Sequence, residues 1–185
     1  MKGVVFVEML SMAESLIGED QVDEILDNVS LASDGAYCSV GNYPCSELMI
    51  LVDAFSQHTG VPAADLQCTF GRWIFGKFSQ AYGTFFEGKN DALMMLESIE
   101  GEVHLEVRKL YPDVELPTFA TRRVDPFTLE MVYTSERPLV DFCRGMIEAC
   151  MAHFSMPADI QQENFKAGDR FGARFNIRVL AEIAA

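Results

Sequence analysis

Apolar residues recur every three or four positions over the first hundred residues and every second position in much of the remaining chain. Val5, Met9, Met12 and Leu16 share one helical face, and Gly18 closes that first helix. A second helix is predicted over about 20–28. Residues 32–45, rich in Ser, Gly, Asn and Pro, read as a loop. A third helix runs from about Ser46 to Thr59 and stops at Gly60. Pro62 opens a fourth, whose stretch Asp65–Tyr82 carries Leu66, Phe70, Ile74 and Phe78 on one face before Gly83 and Gly88 break it. One long helix is then predicted from about Asn90 to Leu110, with Leu96, Ile99, Val103, Val107 and Leu110 as its stripe and Pro112 as its stop.

From Thr118 the period changes. Thr118–Val124 and Phe127–Ser135 read as strands around Asp125-Pro126. Pro138 starts a helix reaching His153, with Leu139, Phe142, Met146 and Cys150 on one side. After Pro157, residues 159–166 and 171–180 read as two more strands around Ala167-Gly168-Asp169. Helices first, then hairpin, helix and hairpin, predict an α+β fold with an antiparallel sheet. The helical N-terminal part can form a subdomain.

Composition narrows the class. A chain of 185 residues is one domain's worth, and 49% apolar with 23% charged residues excludes a disordered chain or a coiled coil. With 28 acidic and 14 basic residues the net charge is −14, which argues against binding to nucleic acid or to an anionic membrane. No run of about 18 apolar residues is present to span a membrane. The N-terminal apolar run stops at Glu8 with no cleavage site after it, so it is not a signal peptide. Cys38, Cys45, Cys68, Cys143 and Cys150 are odd in number and form no C-x-x-C pair, which predicts reduced thiols in a cytoplasmic protein. The 14 Phe and 10 Met residues suggest a large, soft apolar interior or pocket.

Few motifs carry chemistry. Gly71 to Phe78 imitates a phosphate loop, but Phe78 stands where a magnesium-binding hydroxyl is needed and the stretch lies inside a helix. No paired carboxylates, nucleophilic triad or zinc spacing stands out. Of three histidines, His58 lies near a helix end and His153 in a last helical turn, where a cation suits the dipole. His104 is mid-helix, about 60° round from Val107, and borders the apolar stripe. It either reaches into an apolar cavity or is a half-buried histidine satisfied by a neighbour. Tyr133, Ser135 and Arg137 share one face at a strand end, spread over about 13 Å, beyond Phe127, Leu129 and Met131. An apolar wall ending in a phenol, a hydroxyl and a guanidinium suits a flat apolar ligand with carboxylates at one edge. It also suits an ordinary strand end meeting solvent.

The opening Met1-Lys2-Gly3, the segment Glu102-Val103-His104-Leu105 and the motif Tyr133-Thr134-Ser135-Glu136-Arg137 together resemble the H-NOX family. These are haem nitric oxide/oxygen binding domains related to the sensor domain of soluble guanylate cyclase. The resemblance runs from Met1 to about Phe154. It implies one H-NOX domain over 1–185, with a helical distal subdomain over about 1–62 and an α/β proximal one over about 63–185. It further implies haem b with His104 as the iron ligand, Tyr133, Ser135 and Arg137 on the propionates, and Pro117 pressing on the haem. The apolar stripes place Val5, Met9, Ile74, Phe78, Phe142 and Met146 as wall or as plain core packing.

The chain departs from the oxygen-binding members of that family. Phe142 stands at the place of their distal tyrosine, Ile74 at that of a polar helper, and Met9 at that of an aromatic residue. No cysteine comes after Cys150, so the zinc cluster of some members is not expected. The expectation is a non-enzymatic sensor that binds nitric oxide and carbon monoxide, excludes dioxygen, and regulates a separate histidine kinase or diguanylate cyclase. Three rivals stay open: a haem enzyme turning over peroxide or nitric oxide, a thiol-based redox regulator, and a haem-free relative that binds another apolar ligand.

Overall fold

A computed structural model describes residues 1–180. Helix α1 (Gly3–Ile17) buries Phe6, Met9, Met12 and Ala13, a three-to-four spacing. Leu16, expected on the same stripe, is exposed instead. No side chain caps α1. Its first free N–H groups donate to loop carbonyls, Gly3 to Gly41 at 2.8 Å and Val4 to Ser39 at 3.0 Å. A side chain at Gly3 would run into the Cys38 carbonyl, so this clasp requires glycine. Helix α2 (Glu19–Asp27) adds Val22 and Ile25 to the core. Helix α3 (Cys45–Thr59) ends on Gly60 in a left-handed conformation, φ 72°.

Helix α4 (Ala63–Ala81) crosses α7 (Val140–His153) along two glycines. A Cβ on Gly71 would meet the Phe142 carbonyl, and one on Gly145 the Cys68 carbonyl, so the backbones approach where side chains are missing. This is what Gly71 does within the phosphate-loop look-alike.

The predicted long helix is interrupted. Helix α5 (Ala92–Ser98), capped by the Asp91 carboxylate on Met94 N at 2.7 Å, passes into a π turn over Ile99–Val103 and then into α6 (His104–Leu110). One inserted residue turns the next helix by about 100° against the sequence pattern. Ile99 and Val103 stay packed against the sheet-side cluster. His104 keeps only 11% of its side chain exposed, whereas Leu110, expected on the stripe, is 71% exposed.

Strands β1 (Thr118–Asp125), β2 (Thr128–Ser135), β3 (Ala158–Ala167) and β4 (Arg170–Val179) form one antiparallel sheet in the order β1-β2-β4-β3. Leu129, Met131, Tyr133 and Ser135 alternate inward on β2, as Ala173, Phe175 and Ile177 do on β4. Phe127, predicted to start this wall, lies in the hairpin turn and is 63% exposed. The outer face carries cross-strand ion pairs, Arg122 with Glu130 and Arg174 with Glu163.

Two apolar clusters result. One joins α1, α2 and α3 to Leu66, Phe70 and Ile74 of α4. The other joins the inner sheet face to α5 and to Cys143, Ile147, Cys150 and Met151 of α7. Helices α4 and α7 face both clusters and divide them.

Candidate functional site

His104 opens α6 directly after the π turn, and its ring lies 5.4 Å from that of Phe119 on β1. Phe119 in turn lies 5.7 Å from Tyr133 on β2. Glu100, in the π turn, organises the histidine. Its Oε2 faces His104 Nδ1 at 3.1 Å and accepts the Phe119 backbone N–H at 3.2 Å, while its Oε1 accepts Arg108 Nη2 at 2.6 Å. Burial pulls the His104 pKa below its ordinary value and outweighs the opposing pull of Glu100, so the imidazole is neutral. With Nδ1–H donating to the carboxylate, the lone pair is on Nε2, which has no hydrogen-bond partner among the described residues. A neutral histidine oriented in this way fits an iron ligand.

Tyr133 and Ser135 point inward from the end of β2 and are both buried. Burial raises the Tyr133 phenol far above its usual range, with the Ser135 hydroxyl and Arg137 opposing, so the group is a neutral donor. Arg137 lies past the strand in a bend rather than on its face. Its backbone N–H donates to Ser135 Oγ at 3.0 Å, and its guanidinium binds the Glu115 carbonyl at 2.8 Å and carboxylate at 2.9 Å. Two hydroxyls and a guanidinium with N–H groups to spare fit carboxylates. Pro117, half-buried, leads into β1 from Glu115.

All six apolar candidates, Val5, Met9, Ile74, Phe78, Phe142 and Met146, belong to the N-terminal cluster. Met9 and Ile74 are buried, and the other four are half-buried on the face they present. Phe142 packs against Phe70 at 5.2 Å.

The other histidines lie elsewhere. His58 is exposed and bound to Gln21 at 3.0 Å, and His153 meets Phe75 and Phe154 edge-on and Phe86 at a tilt. A surface cleft of about 600 Å³, lined by Arg144, Glu148, Met151 and Met156 among others, shares no residue with the site.

Four contributors escaped the sequence reading. Glu100 had a signal, since an acid four residues before a histidine lies on the same helical face. Glu115, Cys45 and the N-terminus had none. The Met1 ammonium donates to the Tyr43 carbonyl at 2.7 Å, and burial followed by Arg137 pulls its pKa down. Burial pushes the Cys45 thiol up, and Arg137 and the N-terminus oppose it.

A family model described as Haem-NO-binding matches residues 2–162. The chain belongs to the haem-NO-binding, or H-NOX, family. H-NOX domains bind haem iron and sense gases. The chain is 34% identical to the ferrous unliganded H-NOX protein from K. algicida, with all of both chains covered and a TM-score of 0.92. A variant H-NOX from T. tengcongensis is 23% identical over 99% of this chain and 100% of that one, TM-score 0.88. An oxygen-binding H-NOX domain related to soluble guanylate cyclases is 23% identical over 97% and 95%, TM-score 0.81. These two share the fold. No curated protein sequence matches the chain. Among the described residues no helix is long and apolar enough to cross a membrane.

Proposed function

We propose that this H-NOX domain is a cytoplasmic nitric oxide sensor that excludes dioxygen and regulates a separate protein, a histidine kinase or a diguanylate cyclase. Haem b would supply a ferrous iron that takes diatomic gases. His104 would hold the iron through Nε2, with Tyr133, Ser135 and Arg137 on the propionates and Pro117 against the ring. Val5, Met9, Ile74, Phe78, Phe142 and Met146 would wall the gas side. The distal part, about 1–62, then borrows α4 and α7 from the proximal part, about 63–185.

One observation carries the gas choice: none of those six side chains has an N–H or O–H group. Two donors elsewhere in the N-terminal cluster are committed, Tyr37 O–H to Glu47 at 2.8 Å and Trp73 N–H to Glu8 at 2.9 Å. Dioxygen on ferrous iron becomes polarised and gains from a donor, whereas nitric oxide and carbon monoxide bind well without one. The missing charge-assisted bond is worth about 1.5–3 kcal/mol, roughly a tenfold to hundredfold loss in dioxygen affinity.

Among the described residues no side chain at the proposed site is placed as an acid or base toward a bound gas, which supports sensing over turnover. Strain at His104 reaches the surface along α6, which ends at Leu110 beside the exposed Tyr111. The signal is then a shift between two helix positions with different affinities for the partner. The net charge of −14 suits a basic contact face on that partner. Five free cysteines suit a reducing cytoplasm.

The test is a visible absorption spectrum of the purified reduced protein before and after nitric oxide. The expected result is a haem band that nitric oxide shifts, with the histidine bond lost. Protein from haem-supplied cells that shows no haem band would overturn the proposal.

A further inference from the structure

We infer that Glu100 is a positioning residue for His104, setting how firmly the imidazole holds iron and so how readily nitric oxide breaks that bond. This role rests on the assignment of His104 as the ligand. Its basis is where the carboxylate is pinned. Phe119 N–H holds Oε2 at 3.2 Å from the sheet side, and Arg108 Nη2 holds Oε1 at 2.6 Å from one turn further along α6. Oε2 is thereby aimed at His104 Nδ1, 3.1 Å away. A carboxylate accepting Nδ1–H fixes the ring orientation and pushes electron density towards Nε2, which strengthens the bond Nε2 makes.

Arg108 works against this. It draws on the same carboxylate and lowers its power as an acceptor. The triad His104–Glu100–Arg108 therefore has a push and a counterweight, and removing each shifts the iron bond in opposite directions. A carboxylate that only braced the π turn would give no such pair of opposite shifts. The π turn contributes by bringing Glu100, His104 and Arg108 to the face that meets β1.

The experiment is resonance Raman spectroscopy of the reduced holoprotein, reading the iron–histidine stretching band, with haem-loss rates alongside. Glu100→Gln keeps the shape and an acceptor oxygen but removes the charge. Its band should move down, its haem should leave about tenfold to a hundredfold faster, and nitric oxide should release its histidine more completely. Arg108→Ala should move the band up. A Glu100→Gln band at the unmodified position, even with faster haem loss, would reduce Glu100 to a brace and overturn the inference. If Glu100→Gln does not load haem, Arg108→Ala decides alone, and an unmoved or lowered band there overturns it. His104→Gly separates the underlying assignment: an unchanged band without added imidazole would remove His104 as the ligand, whatever the Glu100 variants show.

Discussion

The two sides of the site are built from opposite materials. On the sheet side the anchoring groups are polar and several are held by another polar group: His104 by Glu100, Glu100 by Arg108 and Phe119, Arg137 by Glu115 and Ser135. On the helical side Met9, Ile74, Phe78, Phe142 and Met146 pack with no hydrogen bond to offer. Directed bonds fix positions, because each has one good geometry. Apolar packing excludes water and sets shape without favouring a charge distribution. If His104 holds haem as proposed, the sheet side would keep the prosthetic group in one orientation and the helical side would choose the gas by what it withholds.

The largest expected effect lies on the sheet side. His104→Ala should leave the purified protein without haem or greatly depleted, since His58 faces solvent and His153 sits in an aromatic cluster elsewhere. Absorption and iron content check this, and a normal five-coordinate histidine spectrum without imidazole would contradict it. Next comes the helical side. Phe142→Tyr should raise dioxygen affinity about tenfold to a hundredfold by adding one donor. An unchanged affinity would place the new hydroxyl away from the iron.

The contrast sharpens within the proposed propionate group. Arg137→Ala should speed haem loss more than Ser135→Ala, because a charge-assisted bond is worth about 1.5–3 kcal/mol and a neutral one about 0.5–1.5. Equal rates would break this placing of the carboxylates. The smallest effect concerns the helical side alone. Burial pushes the Tyr37 phenol up to about 12 from its usual 10. The folded state therefore prefers the neutral phenol. Its contribution is intact below pH 10 and is lost as pH rises to about 12. Urea titrations across that range should show Tyr37→Phe losing less stability than the unmodified chain.

Most of the fold was legible because its periods are clean. The stripe of α4 and the alternation of β2 from Leu129 onward survive in the structure nearly position for position, whereas on α1 only Met9 and Met12 of the stripe are buried, and Phe6 is buried where Leu16 is exposed. The π turn was not legible, since Ile99, Val103 and Val107 read equally well on a continuous helix, and the inserted residue leaves no mark in the pattern. Leu110 and Phe127 misled for a related reason: apolar residues at element ends fit a stripe whether or not they face the core. Within the candidate site, spacing within one element placed His104, Tyr133 and Ser135 on inward faces but left ordinary packing open, and only the family resemblance gave them roles. Arg137 was placed one step too regularly, on the strand instead of in the bend after it. Glu115 reaches the site through a contact with Arg137 between segments distant in sequence, and Cys45 and the N-terminus feel the charge of Arg137 in the same way, which no local period encodes.

The division of labour between the two sides stands or falls on what the helical side withholds. The direct measurement is the absorption spectrum of the unmodified reduced protein in air-saturated buffer, recorded before the iron oxidises. The expected spectrum is that of the unliganded five-coordinate reduced haem, shifted by nitric oxide but not by air. A stable oxygenated spectrum in air would contradict this division, and would mean that a donor reaches the gas from somewhere beyond Val5, Met9, Ile74, Phe78, Phe142 and Met146.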